Sequence, residues 1–476
     1  MKIFSLKFLL LLLLAAVIVL FVAVIRPNFG VFPQKMSGSF EYIRKGEYLF
    51  GKNKYAKAVK YFEKAYDSSP ENETIKSYLV YAYSTYSKAL AGSDKYDEAI
   101  DYLIKSYNIT PNTSATQNLA MMYSQKALYE AQKGYLSKAG DLYAKMRELA
   151  RGSGIVSQNL GVLLYNDGVS EYKFGREDMA ILCLKESSLV SKEGRTFELL
   201  GDMYYKRAEF KMARFYWHRA KMLNPDNAEL AVRLKKIGKE MALAAKEGQD
   251  RLPHFEIRYK KNLPIDKQLT AGILERAYAD VGGDLAYFPK ARTKVFFYSK
   301  EDFRNVFNMP HIVNAFYDGS IKIPAPDTRL DTEKFRRYIY HEYTHALISA
   351  KTNNNCPIWL NEGIALWEEY RGQRQTIESF LTKINPAPDI SIRFLDETFK
   401  TSEAAKDTAL CYLLSYTLVN YILDKWGAAG LQGILKRLAG SQHIANAIDD
   451  EFLLSEKEFE RRWRDYVLTS YWKNKP

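Results

Sequence analysis

The sequence predicts an all-α repeat solenoid followed by an α+β domain, with a transmembrane helix at the N-terminus. Three observations support this fold class. An alanine recurs in similar helical surroundings about every 40 residues, as in repeat proteins. Segments that alternate like strands precede a long C-terminal stretch of helical periodicity. An unbroken apolar run lies close to the N-terminus. With 476 residues, 26% of them charged and 47% hydrophobic, the chain has a globular composition and room for two or three domains.

The N-terminal apolar run extends from Phe8 to Ile25 and ends at Arg26. At about 1.5 Å rise per residue, a helix of this length approaches the ~30 Å hydrocarbon core of a bilayer. A signal peptide would have a shorter run and a small-residue cleavage site, which the following residues lack. We therefore favour an uncleaved signal anchor over residues 1–30. It would leave the N-terminus inside and the bulk exported, on the periplasmic or extracellular side of a bacterial inner membrane. A cleaved signal and a reversed topology stay open.

The formal net charge is +13, but the basic residues are spread along the chain. We interpret them as solvated surface, with a membrane-proximal bias as the second interpretation. No nucleic-acid motif is found, and we expect no nucleic-acid partner. The three cysteines cannot form a disulfide framework. They are interpreted as buried small hydrophobes, and a Cys356–Cys411 bridge is left open.

Five segments share a leading alanine followed by apolar residues at helical spacing. These alanines are Ala58, Ala99, Ala139, Ala180 and Ala213. The segments resemble the tetratricopeptide repeat, whose small residues let two helices pack closely and whose proline ends the second helix. The last copy, Phe197 to Pro225, fits best, and the earlier copies carry extra residues that we assign to longer first helices. The resemblance covers 39–228 and implies five helix pairs with a groove for a protein partner. Packing against the next domain is the alternative role.

After the repeats, residues 229–250 are predicted to form a capping helix and linker, and 251–476 an α+β domain. His254 to Tyr259 alternates like a strand, and "KVFFYS" predicts a second one. Ala315 to Ala325 is predicted to be a bent edge strand with a turn at Asp318-Gly319. From Thr332 onward the pattern is almost entirely helical, and this order of strands and then helices indicates an α+β arrangement.

The segment "HEYTH" carries two of the six histidines of the chain. His341 and His345 lie four residues apart on a predicted helix, so both imidazoles can point to one cation. Neutral imidazoles suit zinc, and two on one turn leave room for a third ligand and a water. Glu342 lies beside that water position, where a carboxylate can take the proton as the water attacks a carbonyl. This pattern is H-E-x-x-H; two exposed helix histidines are the alternative.

Sixteen residues separate His345 from Glu362 in "WLNEG". This arrangement resembles the gluzincin metallopeptidases, and most of all the peptidase-MA-like domain often fused to tetratricopeptide repeats. The resemblance, strongest over 310–430, implies a zincin-like domain with one Zn²⁺ bound by His341, His345 and Glu362. Glu342 would be the general base. For Glu362, a carboxylate favoured at a helix N-terminus is the alternative.

The segment "ALCYLLSYTLVNYILDKWG" resembles the family helix whose tyrosine stabilises the tetrahedral intermediate. Tyr412 falls in that register relative to Gly427, and Tyr416 is the competitor. Leu366 stands where the thermolysin-like branch has a carboxylate that buttresses a histidine, so that partner must come from elsewhere. The G-x-M-E-N segment of gluzincin aminopeptidases is not found, which favours an endopeptidase.

The resemblance also implies that an edge strand aligns the substrate backbone by strand addition. On the predicted edge strand, this assigns substrate binding to Ser320, Ile321, Lys322 and Ile323. The sequence thus predicts a membrane-anchored zinc metallopeptidase that hydrolyses exported proteins and recruits a protein partner through its repeats. The alternative is a non-catalytic, membrane-tethered repeat scaffold whose peptidase-like domain binds zinc without turnover. The intact Glu342 favours the enzyme.

Overall fold

The computed structural model describes residues 38–244, 247–261, 263–308, 315–325, 332–381, 391–401 and 405–472. The predicted signal anchor lies outside these residues. In the part of the chain that is described, no helix is both long and apolar enough to cross a membrane. The chain divides into two compact units, one ending at Met122 and the other beginning at Tyr123.

Successive helices joined by short turns make up the repeat region. They are α1 (Gly38–Gly51), α2 (Tyr55–Ser68), α3 (Glu73–Ala91), α4 (Tyr96–Ile109), α5 (Thr113–Gln132), α6 (Leu136–Ala150), α7 (Gly154–Lys173), α8 (Glu177–Val190), α9 (Gly194–Lys206), α10 (Phe210–Leu223) and α11 (Ala228–Ala244). Each of the five leading alanines lies on the second helix of a pair and is fully buried. The predicted longer first helices are confirmed: α3, α5 and α7 hold 19, 20 and 20 residues, whereas α9 holds 13.

The C-terminal part contains a five-stranded mixed sheet followed by helices, as predicted. Its elements are β1 (Glu247–Arg251), β2 (Phe255–Lys260), α12 (Lys267–Asp284), β3 (Thr293–Tyr298), α13 (Lys300–Phe307), β4 (Phe316–Tyr317), β5 (Ile321–Pro324), α14 (Thr332–Thr352), α15 (Ile358–Glu369), α16 (Arg374–Leu381), α17 (Ile392–Thr401), α18 (Ala405–Ala439, interrupted at Gly427), α19 (Ile444–Phe452) and α20 (Glu456–Tyr471). The strand order is β1-β2-β3-β5-β4. Strand β2 is parallel to β3, and β3 to β5, whereas β1 and β4 are antiparallel to their neighbours.

Two segments differ from the prediction. The predicted linker ends in a strand instead of a loop. Strand β1 includes its last residues, because they pair with β2. The prediction that Ser320 to Ile323 form an edge strand is wrong. The chain folds back into a hairpin, so β5 lies between β3 and β4, and β4 is the terminal strand. Ser320, Ile321, Lys322 and Ile323 are fully buried, so β5 does not offer the open edge that strand addition requires.

A hydrophobic core is shared between the repeat helices and the sheet. Tyr205, Phe210 and Trp217 from α9 and α10 belong to one buried cluster with Phe296 and Phe307 of the α+β part. The rings of Phe210 and Phe296 lie 5.5 Å apart, centroid to centroid. Because these side chains bury one another, the last helix pair is packed as a part of the C-terminal fold.

A buried polar network crosses the same junction. Lys322 on β5 has no exposed surface; its amine contacts Asp318 and lies 3.6 Å from Glu240 on α11. The Tyr205 hydroxyl accepts from Lys322 at 3.0 Å and lies 2.6 Å from Glu240. Burial disfavours the Asp318 carboxylate, but Lys322 and Lys236 outweigh it and hold its pKa below the usual value. Each buried charge thus has an opposite partner, as its desolvation requires.

Candidate active site

Helix α14 presents the two motif histidines on one side. Ile339, Tyr343 and Leu347, spaced by four residues, are buried in the main core of the C-terminal part. They fix the rotation of the helix, and His341 and His345 line a cavity. Their ring centroids lie 4.7 Å apart, with planes at 86°, so both imidazoles approach one point, as the sequence predicts.

Helix α15 brings Glu362 to the histidines. It begins directly after Pro357, and a side chain at Gly363 would overlap the backbone of Ser415 on α18, so α15 and α18 pack closely. The Glu362 Oε2 atom lies 3.6 Å from Nε2 of His341 and 3.6 Å from Nε2 of His345. Tetrahedral zinc with bonds of about 2.0–2.1 Å would hold its ligand atoms roughly 3.4 Å apart. The observed spacing matches that geometry.

The donor chemistry also fits zinc. Glu362 Oε2 is buried and has no hydrogen-bond partner among the described residues, which is costly for a carboxylate oxygen. Burial disfavours its charge, but His345 and His341 hold the pKa of Glu362 below the usual value. Across the described ranges, His341, His345 and Glu362 are the one group of three such side chains that could hold a metal. Two imidazoles and a carboxylate are a ligand set that zinc accepts.

Two further side chains orient the imidazoles. His341 Nδ1 lies 3.0 Å from Glu369 Oε2, and His345 Nδ1 lies 3.0 Å from Asn361 Oδ1. Such acceptors hold the proton on Nδ1 and leave Nε2 free to bind a metal. Glu369 is thus the partner that the sequence requires in place of Leu366. It lies two turns after Glu362 on the same face of α15. Asn361 carried no signal in the sequence beyond its place beside Glu362.

Glu342 lines the same cavity and is buried. Burial raises its pKa to about 8; the Glu362 carboxylate adds to the rise, while His341 opposes it. A carboxyl group whose pKa lies near neutral pH can both accept and return a proton. This position agrees with the predicted general base.

Of the two candidate tyrosines, Tyr412 lines the cavity with the histidines. Burial raises the pKa of its phenol, and the carboxylates of Glu362 and Glu342 add to the rise, so the hydroxyl stays protonated and able to donate. Tyr416 is fully buried in a cluster with Ile377 and Leu381, and it is not among the residues that line this cavity. The geometry therefore favours Tyr412.

The cavity is large enough for a peptide segment. Its volume is about 1000 Å³, and it is also lined by Phe316 and Tyr317 of β4, the terminal strand. This is the upper end of the range for ligand pockets, about 300–1,000 Å³. Cys356 and Cys411, which flank this region in sequence, are free thiols.

Fold and site together define a helical-repeat protein that ends in a peptidase-like domain. Residues 321–469 match the model of the Peptidase MA superfamily, so the chain carries a domain of that superfamily after its tetratricopeptide repeats. No curated protein sequence matches the chain.

Three solved structures are similar to this chain, and two of them are of TPR proteins. A thermophilic TPR protein of Thermus thermophilus is 17% identical, with a TM-score of 0.19, and covers 42% of this chain and 98% of its own. The TPR domain of P58(IPK) is 12% identical, with a TM-score of 0.20 and coverages of 85% and 99%. Yeast Tom70 is 10% identical, with a TM-score of 0.17 and coverages of 82% and 98%.

Proposed function

We propose that the protein is a zinc-dependent endopeptidase that acts on exported proteins and is held at the membrane by its N-terminal segment. One observation carries the catalytic part of the proposal. A buried carboxylate oxygen of Glu362, without a hydrogen-bond donor, lies 3.6 Å from the Nε2 atoms of His341 and His345. The superfamily match over residues 321–469 supports the reaction class.

His341, His345 and Glu362 would hold the zinc ion. Bound zinc supplies a Lewis acid that acidifies water and polarises a carbonyl. Glu342 takes the proton of the attacking water and returns it to the leaving amine. The Tyr412 hydroxyl donates a hydrogen bond to the carbonyl oxygen of the scissile bond as that oxygen gains negative charge. Glu369 and Asn361 keep the two imidazoles in the required tautomer.

The remaining parts of the proposal concern location and partners. The apolar run Phe8 to Ile25 supports an anchor with the bulk of the chain outside; a reporter fused after Pro476 and active only inside the cell would contradict it. The tetratricopeptide repeats support recruitment of a protein partner, because such arrays present extended binding surfaces. Strand β4 lines the cleft and is the strand available to align a peptide substrate.

The full-length chain purified in detergent provides the test of catalysis. Zinc content is measured by elemental analysis, and hydrolysis with a quenched fluorescent peptide library. We expect about one zinc in the wild type and little in His345→Ala, because one of three ligands is lost. Glu342→Gln should keep zinc and lose hydrolysis by about 10²–10⁴-fold. Glu333→Gln, on an exposed part of α14, is the matched control and should change neither.

Two results would contradict the proposal. A well-folded wild type without zinc would exclude the metal site. A wild type that binds zinc and hydrolyses no peptide, with a Glu342→Gln variant that keeps its cellular role, would identify the non-catalytic scaffold instead.

A further inference from the structure

The repeat region supplies one wall of the catalytic cleft. The cavity that contains the two histidines and Glu362 is also bounded by the ends and turns of helix pairs α7–α8 and α9–α10. The side chains on this repeat wall are Tyr172, Glu177, Lys206, Arg207 and Glu209. A peptide in the cleft would therefore contact both the catalytic helix and the repeats.

The repeat wall is fixed in place by direct packing. Gly319, in the β4–β5 turn, has φ +107°, and a side chain there would overlap the backbone of Lys206 at the end of α9. The Ser441 hydroxyl donates to the Lys173 carbonyl oxygen at 3.3 Å. The buried network around Lys322 ties the same hairpin to α9 and α11. Close packing and buried charge pairs hold the wall at a constant distance from the catalytic residues.

The lysines facing the cleft have spare hydrogen-bonding capacity. Lys206, exposed on the repeat wall, donates to the Tyr172 hydroxyl at 2.7 Å. Lys294, from the sheet side, donates to the Arg207 carbonyl oxygen. Neither amine is within ion-pair distance of a carboxylate in the described part of the chain. An ammonium group has three donors, so each lysine retains protons for a ligand.

Several of the other charged side chains around the cleft are paired with one another. Arg207 is paired with Glu177 at 3.2 Å and with Asp178 at 2.5 Å. The lining also holds exposed Arg292 and the acidic side chains of Glu209, Asp318, Glu342 and Glu362. Asp318 is paired with buried Lys322, and Glu362 lies beside the two histidines. The lining as a whole carries charges of both signs, so an acidic group would be attracted locally, at the two lysines.

We propose that this repeat wall selects peptide substrates that carry an acidic side chain, bound by Lys206 and Lys294. The inference rests on the proposed peptidase function and names its substrate class. It makes the fourth and fifth repeats part of the substrate-binding site. Opposite charges across an interface chiefly provide specificity, so the wall would set which peptides are cleaved, while α14 and α15 set the chemistry.

The test uses the full-length protein and pairs of quenched peptides that differ only by Asp or Asn at one position, moved stepwise away from the scissile bond. At the position facing the wall, we expect the Asp peptide to have a kcat/KM about 10-fold higher, as for one charge-assisted hydrogen bond. Lys206→Glu should abolish or invert this preference, and Lys294→Gln should reduce it. Lys211→Glu, an exposed α10 position outside the cavity, should leave it unchanged.

Binding of the same peptides to Glu342→Gln, followed by fluorescence anisotropy, separates this inference from the proposed function. Wild-type enzyme that cleaves Asp and Asn peptides equally would overturn the inference and leave the peptidase intact. A preference that survives both Lys206→Glu and Lys294→Gln would also overturn it. If no peptide is hydrolysed, the peptidase proposal fails, and Asp-selective binding that Lys206→Glu removes would still support the acidic-ligand wall.

Discussion

Each imidazole of the site depends on a side chain that is not itself a metal ligand. Glu369 holds His341 and Asn361 holds His345, both at 3.0 Å. We expect Glu369→Ala to weaken zinc binding about 10–100-fold, because the ring loses its orientation and tautomer. Competition with a chelator of known affinity measures this. Glu397→Ala, at an exposed position of α17, is the control, and an unchanged zinc affinity in Glu369→Ala would contradict the positioning role.

The tyrosines of α18 offer a second comparison of single residues. Tyr412→Phe should lower kcat about 10²-fold with little change in KM or zinc content, since only the donor to the developing charge is removed. Tyr416→Phe should leave kcat nearly unchanged, because Tyr416 lies in the cluster with Ile377 and Leu381. Steady-state kinetics with one peptide decides between them, and a larger loss in Tyr416→Phe would reverse the assignment.

At this scale, the sequence predicted the candidate ligands and missed the side chains that orient them. The two histidines follow from helical geometry and the H-E-x-x-H motif, whereas Glu362 follows from the resemblance to the gluzincin peptidases. Glu369 supports His341 only because α15 runs unbroken for two turns and packs beside α14. That packing depends on contacts with α18, such as the one at Gly363, which local spacing does not reveal.

Among the elements, the β4–β5 hairpin depends most on a buried charge. Lys322→Met should lower the free energy of unfolding of the second unit by about 3 kcal/mol, because it leaves Glu240 and Asp318 buried with less compensation. All six tryptophans lie after Tyr123, so their fluorescence in urea reports this unit. Adding Glu240→Gln to Lys322→Met should recover part of the loss. An exposed control, Lys211→Met, should unfold like the wild type.

The hairpin also shows why the edge strand was predicted wrongly. The turn at Asp318-Gly319 was predicted, but the segment Ala315 to Ala325 is too short for its alternation to show that the first arm covers the edge of the second. Lys322 did not indicate that its strand is interior, since a lysine in a strand usually indicates a solvent-exposed edge. By contrast, the helices of the repeats were predictable, because each copy carries the same alanine at the same helix contact.

For the molecule as a whole, the shared core predicts which fragments fold. Fragment 247–476 keeps every strand but lacks Tyr205, Phe210 and Trp217, the repeat partners of Phe296. We expect it to aggregate on size-exclusion chromatography and to hold little zinc, because burial of this cluster is lost. Fragment 112–476, which keeps α5 onward, should be monodisperse with about one zinc. A folded, zinc-loaded 247–476 would show that the shared core is dispensable.

Periodicity predicted the repeats and the α+β order, and the H-E-x-x-H motif with the family resemblance predicted the candidate site. The sequence pattern placed a linker at 229–250, but the last repeats are built into the C-terminal fold. Periodicity shows which face of a helix is buried, but it does not show which element covers that face. In the sequence, a repeat helix that packs on the sheet therefore has the same pattern as one that packs on the next repeat.

Arrays of this kind lengthen and shorten during evolution by whole units, because each unit contacts only its neighbours. In this chain that freedom applies at one end alone. A descendant could gain or lose copies ahead of Tyr123 without altering the cleft. Deleting the fifth copy would remove Tyr205 from Lys322 and open the cleft in one step. The repeats can therefore diversify at the N-terminal end of the array, while the C-terminal copies must be kept together with the candidate active site.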